Sequence, residues 1–233
     1  MPPRSLRKVE YKQLMMKRTF DVIVSGSGLL VLLPLLPVVA LLIKLDSEGP
    51  VFFLQKRIGR RFRPFWIYKF RTMVHNAPSL GALLTCGEDP RITRVGRLLR
   101  RTKIDELPQL LNVLMGEMSL VGPRPEVQRY AEMFRQDFEE VLTVRPGITD
   151  PASLKYCNET TLLGSAVDPE AEYIRHVLPD KIKLAKEYIH HSSLRTDLFL
   201  ILMSVVKMFV SNRLFRRNQS VAVSRSNLPG EMQ

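Results

Sequence analysis

The chain has 233 residues, enough for one ordinary domain with appendages, and its 45% apolar content is sufficient for a packed core. Its formal charge of +12 implies an anionic partner, such as nucleic acid, anionic lipid or a phosphorylated substrate. Cys86 and Cys157 are far apart in sequence, and the four histidines show no metal-ligand spacing. These features argue against a zinc site or a disulfide framework and favour a reducing, cytosol-facing location.

A basic segment, residues 1–19, precedes an almost uninterrupted apolar run over residues 20–45. The run is long enough to span a membrane as a helix, and it lacks the cleavage site of a signal peptide. Pro34 and Pro37 lie within it, and each removes a backbone donor and kinks a helix. Basic residues flank both ends, which favours the cytoplasmic side for both. The pattern predicts a re-entrant helix broken near Pro34, with a proline-kinked single-pass anchor as the alternative.

Residues 46–210 have the mixed composition of a folded domain. Their periodicity predicts an α/β fold that is mostly α-helical with short strands. The predicted elements are strands at 51–54 and 65–68, a loop at 75–90, helices at 92–99, 107–115, 126–140 and about 170–190, a tight turn at 144–149 and irregular chain at 150–170.

Two further segments indicate contact with membrane lipids. Residues 56–71 contain seven cations and no acidic residue, interleaved with aromatic side chains, so contact with anionic headgroups is expected. Residues 194–210 are apolar but interrupted by charges, which is typical of an interfacial amphipathic helix; a core helix is the alternative. Residues 211–233 are polar and basic and are predicted to form a disordered tail.

Two adjacent carboxylates, Asp105 and Glu106, follow a stripe of arginines on a predicted helix. Such a like-charged stripe is stabilised only when an anion lies opposite. Thr102 and Asp105 have the spacing of a capping pair, which would place both acids at a helix start, where backbone N–H groups favour anions. Asp105 acting only as a helix cap is the alternative. The stripe consists of Arg91, Arg94, Arg97 and Arg101.

Adjacent carboxylates among arginines suit phosphoryl chemistry. One carboxylate can attack phosphorus to form an acyl phosphate, a second can bind Mg²⁺, and arginines can neutralise phosphate oxygens. Beside a membrane segment, this points to a reaction between a phosphorylated soluble compound and a lipid phosphate. Two alternatives stay open. One is a membrane-bound phosphatase or lipid-phosphate hydrolase that uses the same aspartate. The other is a basic module that binds anionic lipid or nucleic acid, which leaves the acids unexplained.

Five stretches together resemble the bacterial sugar transferase family, the monotopic phosphoglycosyl transferases. The likeness covers residues 15–210 in order and is closest to the small members, which consist of the catalytic module alone. The stretches are KRTFDVIVSG…PLLPVVALLIKL (17–45), GPVFFLQKRIG (49–59), IYKFRTM (67–73), DPRITRVGRLLRRTKIDELPQLLNVLMGEMSLVGPR (89–124) and VRPGIT (144–149).

The resemblance implies transfer of a sugar 1-phosphate from a UDP-sugar to undecaprenyl phosphate with release of UMP. This step begins a surface glycan, such as an exopolysaccharide, capsule, O-antigen or glycoprotein glycan. By analogy Asp105 is the nucleophile of a covalent phosphosugar intermediate, and Asp105 and Glu106 hold Mg²⁺, although a base role for Glu106 stays open. The implied phosphate- and substrate-binding residues are Lys69, Arg101, Arg124 and, more weakly, Arg145.

The resemblance also implies a monotopic protein on the cytoplasmic face of the bacterial inner membrane, with no nucleic-acid partner. Its membrane helix would be re-entrant and broken at a proline. Two departures from the family pattern occur. Leu33 stands where serine often precedes the breaking proline, so a break nearer Pro37 is an alternative. Asp150–Ser153 replaces Gly-Trp-Ala-Gln after VRPGIT, so the resemblance does not imply which sugar is transferred. The oligomeric state stays open, a homodimer included.

Overall fold

The computed structural model describes residues 4–77, 80, 84–87 and 89–208, with side chains from residue 14 onward. Helices dominate and the strands are short, which confirms the predicted class; the tail predicted at 211–233 lies outside the described residues. The helices are α1 (Arg4–Leu32), α2 (Leu35–Asp46), α3 (Arg94–Thr102), α4 (Gln109–Met115), α5 (Gln128–Met133), α6 (Arg135–Val141), α7 (Pro151–Lys155), α8 (Glu159–Gly164), α9 (Pro169–Glu172), α10 (Leu178–His191) and α11 (194–208). The strands are β1 (Phe52–Ile58), β2 (Pro64–Phe70), β3 (Ser119–Val121) and β4 (Gly147–Thr149).

α1 and α2 form a helix pair that is bent by 61°. Among the described residues, no single helix is long and apolar enough to cross a membrane. The bent pair taken together is long and apolar enough, judged by length and composition alone. The break lies at Leu33 and Pro34, a position that fits both the re-entrant prediction and the proline-kinked anchor. Pro37 lies in the first turn of α2, where a backbone N–H has no helical partner to lose. The prediction of a break at Pro37 is therefore wrong.

Polar contacts fasten the first half of this pair to the rest of the domain. The buried carboxylate of Asp21 accepts from the Ser119 hydroxyl at 2.8 Å, where β3 begins. Arg18 donates to the carbonyl of Val113 in α4 at 2.6 Å. α1 therefore runs along α4 and β3 before it reaches the break.

The far end of the pair returns to the same domain. Asp46 accepts from the N–H of Val95 in α3 at 2.8 Å. Arg71, which follows β2, donates to the carbonyls of Ser47 and Glu48 at 2.7 and 2.6 Å. Both ends of the pair thus attach to one domain. The apolar side chains that it exposes between these anchors include Ile23, Leu30, Val31, Leu33, Val38, Leu41, Leu42 and Leu45.

β1 and β2 form an antiparallel hairpin in which Phe52 pairs with Phe70 and Ile58 with Pro64, which confirms both predicted strands. Four of the seven cations within residues 56–71 donate to carboxylates or carbonyls within the protein. These four cations therefore have partners within the protein, and the predicted contact of residues 56–71 with lipid headgroups stays a prediction. The four are Arg57, Arg60, Lys69 and Arg71.

Several boundaries differ from the predicted ones. The helix predicted at 126–140 is divided into α5 and α6 at Phe134, whose φ of −111° and ψ of 39° are not helical. The turn predicted at 144–149 contains β4, which pairs in parallel with β3. The stretch at 150–170 forms α7 and α8 rather than irregular chain. The helix predicted near 170–190 is confirmed as α9, a π-helical segment at Tyr173–Val177, and α10.

Three hydrophobic clusters hold these elements together. One joins α5 and α6 to α10, a second joins β2, β3 and α4 to α11, and a third joins α2 to α3 and β2. α11 buries Asp197 and Leu200 on one side and exposes Leu198, Phe199 and Leu202 on the other, as an amphipathic helix does. The clusters place the ends of β2 and α3 next to the turn that carries Asp105.

Candidate active site

α3 is packed directly against the chain that leaves β2, and a glycine makes this approach possible. A Cβ at Gly96 would lie 2.0 Å from the carbonyl oxygen of Thr72, so any larger residue would displace the helix. Thr93 caps α3 by accepting from the N–H of Gly96 at 3.0 Å, and its own N–H donates to Thr72 at 3.1 Å. The first turn of α3 is thereby fixed beside Thr72, two residues after the end of β2.

Asp105 and Glu106 lie in a short 3₁₀ helix, Ile104–Glu106, between α3 and α4 and ahead of the α-helix that begins at Gln109. Thr102 is the last residue of α3, and its hydroxyl donates backwards to the carbonyl of Leu98 at 2.9 Å. The predicted capping pair of Thr102 and Asp105 is therefore wrong. Lys103 adopts a φ of 57°, which redirects the chain so that only 8% of Asp105 and 9% of Glu106 is exposed.

Glu106 is paired with two cations that come from distant parts of the chain. Lys69 donates to its Oε1 at 3.0 Å, and Arg124 donates to Oε2 at 3.3 Å and also to Oε1. Burial alone would raise the pKa of Glu106, but the charges of Arg124 and Lys69 outweigh it and hold that pKa well below its usual range. Glu106 is therefore an anion that organises two cations.

Asp105 has the opposite environment. Its Oδ1 is buried and accepts no hydrogen bond from any residue that the structure describes. Burial, together with the negative charge of Glu106, raises the pKa of Asp105 to about 6, against the opposing charges of Lys69, Lys103 and Arg100. An open, buried carboxylate oxygen is costly to maintain unless a ligand or a reacting atom takes it.

Asp105→Asn is expected to raise the free energy of unfolding by about 1–3 kcal/mol above pH 6. An unfolded chain ionises this carboxyl near pH 3.8, whereas the folded protein resists ionisation until its pKa of about 6. The folded wild type therefore loses stability as the pH rises through this interval, and uncharged asparagine does not. Thermal unfolding in metal-free buffer at about pH 4 and about pH 8 measures the difference. If the variant and the wild type differed in stability by the same amount at both pH values, the expectation would be contradicted.

Arg124 is held through the backbone on both sides of its loop. Asp150, which is 2% exposed, accepts from the Arg124 N–H at 3.1 Å and from the Ser153 N–H at 2.7 Å as the cap of α7. Arg57 donates to the carbonyl of Pro125 at 3.3 Å. The loop therefore presents a fixed guanidinium to the acidic pair.

Two glycines allow this loop to meet β4. A Cβ at Gly147 would lie 2.1 Å from the backbone nitrogen of Gly122, and a Cβ at Gly122 would lie 2.5 Å from the carbonyl oxygen of Arg145. These contacts explain why glycine occurs in both the VGPRP and VRPGIT stretches. They also bring Asp150 within reach of Arg124.

Asp150→Ala is expected to raise the KM for the phosphorylated donor about tenfold, because the loop that carries Arg124 loses an anchor. It also removes the cap of α7, at a cost of about 1 kcal/mol. Asp168→Ala is the matched control, because Asp168 caps α9 through the N–H groups of Glu170 and Ala171. Steady-state kinetics of both variants separate the two effects. Equal changes in KM would show that a lost cap alone is responsible.

The structure gathers most of the predicted site residues. Lys69 and Arg124 meet at Glu106, directly beside Asp105. Arg101 lines the same cleft, which has a volume of about 1750 Å³ and can hold a nucleotide-sized ligand. The roles assigned to these residues from the sequence stay predictions, and the geometry shows that they share one cleft.

Arg145 is the predicted site residue that lies elsewhere. Its Nε donates to the carbonyl of Gly116 at 2.7 Å, just after α4.

Sequence reasoning missed Arg100, which is half-buried, donates to the Thr72 hydroxyl at 2.8 Å and stabilises the charge of Asp105. The three- and four-residue spacing of the arginine stripe drew attention to the outer face of α3, whereas Arg100 lies on its inner side.

The cleft extends to residues that follow VRPGIT. Tyr156, Glu159 and Lys181 line it, and Lys181 donates to both oxygens of Glu159 at 2.7 Å. Tyr156 donates to Asp180 at 2.8 Å. Asp150, Ala152 and Ser153, which belong to the segment that departs from the family pattern, line the same cleft.

The chemistry of the acidic pair fits Mg²⁺. Among the described residues, no group of three or more His, Cys, Asp and Glu side chains could hold a metal ion. Mg²⁺ often uses only one or two carboxylates together with waters and substrate phosphates. The open Oδ1 of Asp105 meets that requirement. Glu106 could add a second ligand only through lone pairs that its contacts with Lys69 and Arg124 leave free.

Comparison with known proteins places this architecture in a family. Residues 12–211 match the family model described as bacterial sugar transferase. The chain is 38% identical over 192 residues to the UDP-N-acetylgalactosamine-undecaprenyl-phosphate N-acetylgalactosaminephosphotransferase of Aeromonas hydrophila, covering 81% of this chain and 42% of the relative. It is 41% identical over 206 residues to the undecaprenyl-phosphate glucose phosphotransferase of Komagataeibacter xylinus, covering 85% and 37%.

A third relative is similar over most of its own length. The UDP-glucose:undecaprenyl-phosphate glucose-1-phosphate transferase of Caulobacter vibrioides is 36% identical over 202 residues, which cover 85% of this chain and 72% of the relative. This chain belongs to the bacterial sugar transferase family. It spans about two fifths of the length of the first two relatives.

Proposed function

We propose that the chain transfers a sugar 1-phosphate from a UDP-sugar to undecaprenyl phosphate, releases UMP and so begins a surface glycan. The observation that carries this proposal is that the two adjacent acids differ: Asp105 is buried with an unpartnered oxygen, whereas Glu106 is paired with Lys69 and Arg124. The names of the relatives support the acceptor and the type of reaction. Because those names specify different sugars, the sugar is not assigned.

The proposed reaction has two displacements at one phosphorus atom. The Asp105 carboxylate forms a bond to the β-phosphorus of the donor, and the bond from that phosphorus to the UMP oxygen breaks, so that UMP leaves with the electron pair. A phosphate oxygen of the lipid acceptor then bonds to the same phosphorus and displaces the aspartyl carboxylate. The product is a lipid diphosphate sugar, and Asp105 returns to its starting form.

Cations around the pair would carry the charge that develops on phosphorus. Lys69 and Arg124 are fixed by Glu106, so they need little reorganisation when a phosphate arrives. Arg100 and Arg101 extend the same positive environment along the cleft. When bound, Mg²⁺ held by Asp105 would polarise the diphosphate and neutralise part of its charge.

The same proposal includes a re-entrant membrane segment, with both ends on the cytoplasmic face of the bacterial inner membrane. The supporting observation is that α1 is bonded to β3 and α4 while the end of α2 is bonded to α3. A crossing helix would place these anchors on opposite sides of a bilayer.

Cysteines introduced at Glu10 and Arg63 are therefore expected to react with a membrane-impermeant thiol reagent from the same side. The background carries alanine at Cys86 and Cys157, so that only the new thiols report. Spheroplasts and inverted vesicles supply the two orientations. Labelling of the two positions from opposite sides would contradict the re-entrant topology and support the single-pass anchor.

The test of the reaction is UMP release from a panel of UDP-sugars, with Mg²⁺ and with or without undecaprenyl phosphate. Multiple turnover that requires the lipid is the expected result, with a different rate for each sugar. Multiple turnover without the lipid, with free sugar phosphate as product, would show that water is the acceptor and that the protein is a hydrolase.

A further inference from the structure

The outer face of α3 carries a charged stripe that extends from the cleft of the acidic pair along the helix. Arg94, Arg97, Leu98 and Arg101 recur at intervals of three and four residues, so they share one side of the helix. Leu98, in the middle of the stripe, is 54% exposed, and Arg94 and Arg97 are exposed beside it. In the described part of the chain, neither Arg94 nor Arg97 has an ion-pair partner.

Arg91, which the sequence pattern assigned to the same stripe, behaves differently. It precedes α3 and pairs with Asp89 at 2.6 Å. The outer face of α3 itself therefore presents its cations without an acidic neighbour to neutralise Arg94 and Arg97. Cations so close together repel one another, and the repulsion is relieved when anions lie opposite.

The inner face of α3 fixes where this stripe lies in the fold. Val95 and Leu99 pack against Val39 and Ile43 of α2 in one hydrophobic cluster. α2 is the second half of the bent apolar pair, and its remaining surface exposes a row of aliphatic side chains. The stripe thus borders the apolar surface that is the candidate membrane segment. The aliphatic row of α2 consists of Val38, Leu41, Leu42 and Leu45.

We propose that the outer face of α3 binds the anionic phospholipids of the bilayer that α1 and α2 enter. Charge complementarity selects the headgroups, because arginine forms paired hydrogen bonds to phosphate oxygens. Leu98 is placed to enter the acyl region, while the long stems of Arg94 and Arg97 extend along apolar surface and keep their charges at headgroup level. The same residues line the cleft that holds Asp105, so this contact would keep the mouth of the cleft at the lipid surface.

The experiment measures lipid preference in the full chain. The protein is held in neutral detergent micelles, and its single tryptophan, Trp66, serves as energy donor to dansyl-labelled phosphatidylglycerol or phosphatidylcholine. The wild type is expected to prefer phosphatidylglycerol. In R94Q/R97Q the preference is expected to fall about fivefold for each arginine removed, the change that corresponds to about 1 kcal/mol per charge near a membrane.

Two further variants make the result specific. R94K/R97K keeps both charges and is expected to keep most of the preference. R175Q/K183Q removes the same charge from two exposed positions, one in the π-helical segment before α10 and one in α10 itself. It is expected to keep the wild-type preference. The proposal is overturned if R94Q/R97Q binds both lipids as the wild type does. It is equally overturned if R175Q/K183Q loses as much preference, since net charge alone would then account for the effect.

Discussion

Asp105→Asn is expected to reduce UMP release at least about 10⁴-fold, because an amide oxygen is a poor nucleophile toward phosphorus. Asparagine has the shape of aspartate and leaves the contacts of Glu106 with Lys69 and Arg124 in place. The loss would therefore report chemistry rather than collapse of the site. Steady-state assays give the rate, and intact-protein mass measured with donor but without acceptor detects the phosphosugar adduct.

The matched control for this variant is Asp137→Asn on α6. Asp137 pairs with Lys186 at 2.9 Å, outside the cleft, so its loss should leave the rate and the adduct unchanged. Adduct formation in Asp105→Asn at the wild-type level would place the nucleophile on another residue. A single UMP released per wild-type molecule without acceptor, followed by arrest, is the expected signature of the covalent step.

The sequence identified the chemical groups of this site but could not assign their roles. Asp105 and Glu106 are neighbours, and nothing local distinguishes them. The distinction comes from Lys69, 37 residues before Glu106, and Arg124, 18 residues after it. Contacts over such separations depend on tertiary packing, which periodicity does not encode. The resemblance supplied a role for each acid, but not the pairing of Glu106 with both cations.

The same reason explains the elements that were missed. β4 has three residues, and its parallel partner β3 lies far away in the chain, so no local alternation marks it. Asp150 stood out in the sequence only as a departure from the family pattern, yet it holds the loop of Arg124. Long periodic segments such as α10 were predicted correctly, because an amphipathic helix is a local signal.

Glu106→Gln is expected to lower turnover about 10²–10³-fold and the free energy of unfolding by about 3 kcal/mol. Removing the negative charge leaves Lys69 and Arg124 facing each other. Their side chains are 18% and 39% exposed, so water screens the repulsion between them only in part. Their repulsion would displace the cations that the phosphate needs. Steady-state kinetics and thermal unfolding in detergent measure the two losses. Glu139→Gln is the control, because Glu139 pairs with Arg135 on an exposed helix face.

A Mg²⁺ titration of the Glu106→Gln variant separates its two assigned roles. If Glu106 organises cations, the Mg²⁺ concentration for half-maximal activity stays at the wild-type value while the maximal rate falls. If Glu106 is a metal ligand, that concentration rises by tenfold or more, because a ligand has been lost. The contacts of both Glu106 oxygens with Lys69 and Arg124 support the first result, and the unpartnered oxygen of Asp105 offers the metal a ligand. Two adjacent acids would then divide the chemistry: one to react, and one to hold the charges that make the reaction possible.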